Sequence, residues 1–159
     1  IAISEALGIA GTVLAGWLSD TVFKGKRAAP VLLSGLLCFA ALSAFLLTRG
    51  SYVVNILYVA MFSISIGVVY CIVSGLMALD IVPRKATGAA LGLVGVSSYL
   101  AAGIQDAVSG ILIGGANAAG AGATYDFSAV TVFWLASCVL SFVVPVVAWR
   151  YLKPSREGS

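Results

Sequence analysis

The stretch from Val31 to Thr48 reads VLLSGLLCFAALSAFLLT and contains no charged side chain. The hydrocarbon core of a bilayer is about 30 Å thick, and an α-helix needs about 20 mainly apolar residues to cross it. A helix is favoured over a barrel strand because the run is continuous, and because a helix satisfies its own backbone hydrogen bonds within lipid. The stretch therefore predicts a transmembrane helix.

The rest of the chain repeats this pattern. Of its 159 residues, 61% are hydrophobic and 9% are charged, against roughly a quarter charged in ordinary soluble domains. A water-facing surface cannot be built from this composition, so lipid is the expected solvent. The predicted fold class is all-α, a polytopic transmembrane helical bundle with helices at about 1–19, 31–48, 53–79, 86–113 and 129–150, and a tail at 151–159.

The sequence begins at Ile1, without methionine or a charged leader, already inside an apolar run. A signal peptide would have a basic start and a small-residue cleavage site, whereas Glu5 occurs early and Gly16 and Trp17 follow. We therefore expect residues 1–159 to be a piece of a longer protein, unable to act alone.

Basic residues predict the orientation, because Lys and Arg near helix ends are retained on the cytoplasmic side. Five crossings place eight of the nine basic residues on one face and leave only Arg49 on the other. The eight are Lys24, Lys26, Arg27, Arg84, Lys85, Arg150, Lys153 and Arg156. The C-terminus is therefore expected in the cytoplasm. This bias also accounts for the net charge of +3, so no nucleic-acid partner is expected.

The sequence lacks the residues that metal binding, redox chemistry and common enzyme mechanisms require. Cys38, Cys71 and Cys138 occur singly in three apolar runs, and the sequence has no histidine. Neither a metal site nor a CxxC redox motif is predicted, and the cysteines are interpreted as small packing residues. Nucleophile elbows, zinc-protease motifs and phosphate-binding loops are also absent from the sequence. We expect no enzymatic activity and no cofactor.

The fourth predicted helix carries a stripe of small residues. Steps of three or four place seven residues within about 80° of one helix face. They are Gly88, Gly92, Gly95, Tyr99, Gly103, Asp106 and Gly110. Packing of a neighbouring helix is the favoured explanation of the glycines. Because a membrane carboxylate costs roughly 2.5 to 3.5 kcal/mol on insertion scales, Asp106 is expected to face a cavity or partner, or else to lie at the interface.

Glu5 in the first helix is followed at near-helical spacing by Gly8, Thr12 and Gly16. A carboxylate that shares a face with small residues is expected to point inward, in a functional or ion-pair role. Tyr70 occurs among serines, where packing is favoured and a hydroxyl-lined aqueous path is the alternative. No predicted span contains Lys or Arg before Arg150 at the end of the fifth, so an anionic substrate requires positive charge from outside this chain.

Two polar junctions carry a family resemblance. The segment 11–27, GTVLAGWLSDTVFKGKR, resembles the connection between the eighth and ninth helices of the organophosphate:inorganic phosphate antiporters of the major facilitator superfamily. The segment 80–88, DIVPRKATG, with Gly92, Gly95 and Tyr99 beyond it, resembles that family's tenth-to-eleventh junction. The resemblance covers nearly the whole chain, although its specific motifs lie in these junctions. The five predicted helices would then correspond to helices 8–12.

The resemblance implies a twelve-helix carrier that exchanges a phosphorylated metabolite, of the glycerol-3-phosphate or hexose-phosphate type, for inorganic phosphate by alternating access. Its partners would be the N-terminal half of the same transporter, the two phosphorylated solutes and the lipid of a bacterial inner membrane. Two alternatives stay open. One is a transporter-like sensor of sugar phosphate, and the other is a facilitator-superfamily carrier of a non-phosphorylated solute.

The resemblance also implies site residues. Tyr99 falls where similar transporters place a substrate-cavity tyrosine, and Glu5 matches an acidic residue of their eighth helix. Tyr70 lies only near a Tyr-Gly-Pro element that this sequence lacks, and Gln105 and Asp106 lie near charged residues of some hexose-phosphate carriers. A cytoplasmic motif is expected to clamp neighbouring helices in one gating state. Its residues are Gly16, Asp20, Arg27, Asp80, Arg84 and Lys85.

Overall fold

The computed structural model describes residues 2–24, 26–48, 50–117 and 127–152. Within these ranges the chain forms five long helices and no strand, which confirms the all-α prediction. The helices are α1 (Ala2–Trp17), α2 (Ala28–Leu47), α3 (Tyr52–Ile81), α4 (Thr87–Asn117) and α5 (Ser128–Leu152). Residues 153–159, the greater part of the predicted tail, lie outside the described residues, as does Arg49.

Four of these helices are long and apolar enough to cross a bilayer, and α1 is the one that is not. It has 16 residues, and a π-helical turn of 5 residues, Leu18–Val22, continues it. The combined run is about 30 Å long at about 1.5 Å per residue, which matches the bilayer core. A fifth crossing therefore requires the π-helical turn to belong to the first span, and it stays a prediction.

The connection between α1 and α2 is tight. The Phe23 amide closes the π-helical turn by donating to the Leu18 carbonyl at 3.1 Å, and the Lys26 amide donates to the Phe23 carbonyl at 2.9 Å. Between them Lys24 adopts a left-handed backbone with a φ of 48°. Pro30 lies in the first turn of α2, where its missing amide leaves no intrahelical bond unmade.

Helices α1 and α3 approach each other closely through glycines. A methyl group at Gly11 would collide with the backbone carbonyl of Ile64, and one at Gly67 with the carbonyl of Gly8. Such contact between backbones is how membrane helices gain packing energy, because lipid supplies no hydrophobic driving force. Close packing in α1 therefore involves Gly8, one of the small residues that follow Glu5, and Gly11, which was not in that predicted set.

Helix α2 packs against both α3 and α5, and one buried cluster joins these helices to α1. The cluster consists of Ala15, Val31, Val68, Ile72, Met77, Phe142 and Val146. It contains no residue of α4, which is held by its connection to α3 and by a hydrogen bond of 2.9 Å from Trp134 Nε1 to Ser109 Oγ. Most of α4 therefore lies beside the packed core that the other four helices form, and contributes no residue to its buried cluster.

Helix α3 is not regular throughout. A π-helical segment, Cys71–Met77, separates its long α-helical part from a last turn at Ala78–Ile81. Val82 is then extended, as expected for a residue before proline, and a 3₁₀ turn, Arg84–Ala86, leads into α4. Wide π-helical segments often mark functional sites. This one directly follows Tyr70.

Candidate functional site

Arg27 precedes α2, and its guanidinium bridges the two junctions of the chain. Nε donates to Oδ2 of Asp80 at 3.2 Å, and Nη1 donates to Oγ of Ser19 at 2.6 Å and to Oδ1 of Asp20 at 3.2 Å. Ser19 and Asp20 belong to the π-helical turn after α1, and Asp80 belongs to the last turn of α3. One cation therefore joins three helices at the same end of the bundle.

The three contacts of Arg27 differ in strength. The side chain of Arg27 is 15% exposed, against 32% for Asp80 and 71% for Asp20. An exposed ion pair contributes about 0 to 1 kcal/mol, whereas breaking a desolvated one costs more because a charge is left without its partner. Ser19 is fully buried, so its hydroxyl cannot turn to water when Arg27 is removed. Asp80 and Ser19 therefore hold Arg27 more strongly than Asp20 does.

Half of the predicted cytoplasmic motif is thus brought into contact. Asp20, Arg27 and Asp80 form one cluster, which we call the Arg27 cluster, with Ser19 as its fourth member. Arg84 and Lys85 lie exposed in the 3₁₀ turn and form no ion pair within the part of the chain that the structure describes. A methyl group at Gly16 would meet no atom within 4 Å, so no close contact explains that glycine.

Sequence reasoning missed Ser19 as a member of the cluster. The available signal was its place directly before Asp20 inside the junction that carries the family resemblance. A serine in a polar junction is normally solvated, and its burial follows from the π-helical turn, which the residue pattern does not predict.

A cavity of about 330 Å³ lies between α1, α3 and α4. Its lining includes the side chains of Thr12, Tyr70 and Ser74, together with Cys71 and Gly95. The π-helical segment of α3 supplies Cys71 and Ser74, so the irregular backbone borders this cavity. The hydroxyl groups of these side chains donate or accept hydrogen bonds and suit a polar solute. Tyr70 is 59% exposed, and of the serines near it in sequence only Ser74 lines this cavity, because Ser63 and Ser65 are buried.

Three predicted substrate residues lie on the same side of their helices as this cavity. At about 100° per residue, Glu5 is about 20° from Thr12 on α1, and Asp106 is about 20° from Gly95 on α4. Tyr99 lies one turn beyond Gly95 and is 83% exposed. Glu5 and Asp106 are exposed as well. Their side chains therefore extend the polar surface along α1 and α4.

Comparison with curated proteins finds transporters of phosphorylated metabolites. The glycerol-3-phosphate transporter of Bacillus subtilis is 33% identical over 149 residues, which is 92% of this chain. This chain is a relative of the bacterial organophosphate transporters. The phosphoglycerate transporter protein of Salmonella typhimurium and the glycerol-3-phosphate transporter of Haemophilus influenzae are 30% and 32% identical over 69% and 62% of this chain.

The chain spans 31% of the length of the Bacillus subtilis organophosphate transporter, and 23% and 24% of the other two. No protein-family model matches it. No solved structure matches it significantly either. The relationship therefore rests on sequence identity. These relatives are transporters rather than enzymes, which supports a non-enzymatic role.

In this organophosphate-transporter relative, Gln105 lies apart from the other predicted substrate residues. It is turned about 80° from Gly95 around α4 and lines a second cavity, of about 300 Å³, between α2, α3, α4 and α5. Trp134 and Ser137 of α5 line the same space. Adjacent positions such as Gln105 and Asp106 point about 100° apart on a helix, so the structure separates two residues that the sequence placed together.

The glycine stripe of α4 was expected to pack against a neighbouring helix, and within the described residues it does not. A methyl group at Gly88, Gly92, Gly95, Gly103 or Gly110 would meet no atom of the described residues within 4 Å. The stripe therefore does not pack against another described helix. It leaves an open face that carries Tyr99 and Asp106.

The described residues offer no site for a bound metal, because no group of three or more His, Cys, Asp and Glu side chains is placed to hold one. The residues that line the cavity beside Tyr70 include no cation. An organophosphate in that cavity would find hydroxyl groups but no positive charge among them.

Proposed function

We propose that the full-length protein is a secondary transporter that exchanges a phosphorylated metabolite, of the glycerol-3-phosphate or phosphoglycerate type, for inorganic phosphate. The observation that carries this proposal is the 33% identity to a glycerol-3-phosphate transporter over 92% of the chain. The four long apolar helices fit a carrier embedded in a membrane. We place the protein in a bacterial inner membrane with its C-terminus in the cytoplasm, because the basic junctions lie at one end of the bundle.

The Arg27 cluster suits a gate in alternating access. In this proposal it holds α1, α2 and α3 together in one state and loosens in the other. Breaking a partly buried ion pair changes the balance between two states by a few kcal/mol at most, which is the range that substrate binding can overcome. The exposed Arg84 and Lys85 lie in the neighbouring junction, free to meet acidic groups outside this chain in one of the states.

The cavity beside Tyr70 is our candidate for part of the substrate path. Tyr70 and Tyr99 offer phenolic hydroxyl groups, and Glu5 and Asp106 offer carboxylates that would accept hydrogen bonds from the hydroxyl groups of the organic moiety. A carboxylate repels phosphate, so the phosphate group would be held by cations outside this chain. Gln105 is left out of this set because it lines the second cavity.

The test is counterflow in proteoliposomes that contain the full-length protein. Vesicles loaded with phosphate should take up labelled glycerol-3-phosphate, vesicles without internal phosphate should not, and glycerol should not be taken up in either case. Uptake of the non-phosphorylated solute alone would reject the proposal in favour of the broader facilitator class. Binding of the phosphorylated solute without any uptake would indicate a sensor.

A further inference from the structure

Cys38 of α2 and Cys138 of α5 are 100 positions apart in sequence, yet their sulfur atoms lie 3.8 Å apart. Both cysteines carry free thiols. Neither belongs to the Arg27 cluster or to the cavity beside Tyr70. The pair therefore needs an explanation other than the proposed transport path.

The helix backbones are close where the two thiols meet. Gly35 lies one turn before Cys38, and a methyl group there would collide with the ring of Phe142, which lies one turn after Cys138. The aromatic ring rests directly on the backbone of α2 and is buried. A disulfide requires Cα atoms about 4.4 to 6.8 Å apart, a spacing that only closely packed helices provide. The sulfurs need to approach by about 1.8 Å to reach the bonding distance of about 2.05 Å.

A small molecule can reach the thiols. Both cysteines line the cavity of about 300 Å³ between α2 and α5, and Gln105, Ser137 and Ser141 line it with them. Amide and hydroxyl groups give hydrogen-bond partners to a small polar neutral molecule, whereas a charged one would lose its hydration. The cavity thus favours an uncharged oxidant such as a hydroperoxide.

We propose that Cys38 and Cys138 form an oxidant-responsive disulfide that cross-links α2 to α5. One thiol loses its proton, its sulfur attacks a peroxide oxygen, and the O–O bond breaks; the displaced hydroxide takes up that proton, so the products are a sulfenic acid and one water molecule. The second sulfur then attacks the sulfenic sulfur, and its proton leaves with the hydroxyl group as a second water molecule. With hydrogen peroxide, two thiols lose two electrons and two protons in total, and two water molecules form.

The third cysteine gives a matched control. Cys71 belongs to the π-helical segment of α3 and lines the other cavity, beside Tyr70. No thiol contact of Cys71 occurs within the described residues. Cys71→Ser should therefore leave the cross-link intact, whereas Cys38→Ser or Cys138→Ser should abolish it.

The experiment uses the full-length protein in native membrane vesicles, with a protease site inserted between residues 117 and 127, so that cleavage separates α2 from α5. After treatment with hydrogen peroxide and then protease, the two fragments should stay joined on a non-reducing gel and separate when thiol reductant is added. Mass spectrometry should identify the peptide pair that contains Cys38 and Cys138. Cys38→Ala serves as a second variant, and size-exclusion chromatography verifies that each variant is folded.

Loss of the joined band in Cys38→Ser and Cys38→Ala, with its retention in Cys71→Ser, would support the disulfide. Fragments that separate in the unmodified protein after peroxide treatment, while both thiols remain open to alkylation, would overturn it. A joined band that persists without Cys38 would also overturn it, because another cysteine would then be the partner of Cys138.

Discussion

Arg27 shows how one side chain can decide the geometry of two distant junctions. Its planar guanidinium donates through Nε to Asp80 and through Nη1 to Ser19 and Asp20, so the directions of all three hydrogen bonds are fixed. An ammonium group is a point charge on a flexible stem and cannot reproduce this fork. The predicted cytoplasmic motif included Asp20, Arg27 and Asp80, which the structure brings together, but it also included Arg84 and Lys85, which form no ion pair within the described residues.

Substitutions of the Arg27 cluster should destabilise the protein in a definite order. We expect Arg27→Ala to have the largest effect, followed by Asp80→Asn at about 1 to 3 kcal/mol, because the pair is partly buried. Asp20→Asn should cost less than about 1 kcal/mol because Asp20 is mostly exposed. Thermal unfolding of the purified full-length variants measures the order. An Asp20→Asn effect equal to that of Asp80→Asn would contradict the burial of the cluster.

Tyr99 provides a second residue-scale prediction, which rests on the proposed transport. Removal of a hydroxyl group that hydrogen-bonds to substrate costs about 0.5 to 1.5 kcal/mol, so Tyr99→Phe should raise the KM for glycerol-3-phosphate up to about tenfold. Tyr52→Phe is the matched control, because Tyr52 is 80% exposed and does not line the cavity beside Tyr70. Uptake kinetics in proteoliposomes measure both. Equal KM values in the two variants would remove Tyr99 from the substrate path.

Asp106 provides a third residue-scale prediction, which concerns the preference between two phosphorylated substrates and rests on the proposed transport. Asp106→Asn removes the charge and keeps the shape, so the ratio of uptake rates for glycerol-3-phosphate and a hexose phosphate should change if Asp106 binds a substrate hydroxyl group. Gln105→Glu places a carboxylate at the adjacent position, which lines the second cavity, and should leave the ratio unchanged. An unaltered ratio in Asp106→Asn would reject the role.

At the scale of helices, apolar runs and their polar breaks predicted five elements because lipid allows few alternatives to a helix. What the sequence could not predict is which small residues make contact. Both α1 and α4 carry several glycines, yet a methyl group at Gly11 would collide with the backbone of α3, while one at Gly92 would meet no described atom within 4 Å. The difference depends on how the helices are placed in space. The contact between Cys38 and Cys138 could not be predicted for the same reason. Each cysteine occurs singly in its own apolar run.

This contrast gives a prediction for paired glycine substitutions. Gly11→Leu should force α1 away from α3, since the new side chain would occupy the position of the Ile64 carbonyl. Overpacking of this kind costs about 1 to 3 kcal/mol or more. Gly92→Leu adds the same volume to an open face and should be tolerated. The folded fraction after detergent extraction, measured by size-exclusion chromatography, compares them. Equal loss in both variants would mean that the α4 stripe packs as closely as α1 does.

For the whole molecule, the Arg27 cluster fixes the relative position of two connections. Arg27 precedes α2 and Asp80 ends α3, so the α1–α2 and α3–α4 connections lie at one end of the bundle. This arrangement agrees with the sequence prediction that both basic connections share a face. The open face of α4 with Tyr99, the cavity beside Tyr70 and the exposed Glu5 lie along the sides of α1, α3 and α4, which is where the proposed substrate path would run.

The most direct test of this account is the sidedness of the connections in the full-length protein, in a variant whose native cysteines are replaced by serine. Single cysteines at Lys24, Lys85 and Ser51 are treated with a membrane-impermeant thiol reagent, in sealed inside-out vesicles and in intact cells. If both basic connections face the cytoplasm, the cysteines at Lys24 and Lys85 react in the vesicles and the one at Ser51 reacts in the cells. Reaction of the Lys24 and Lys85 positions from opposite sides would contradict this account.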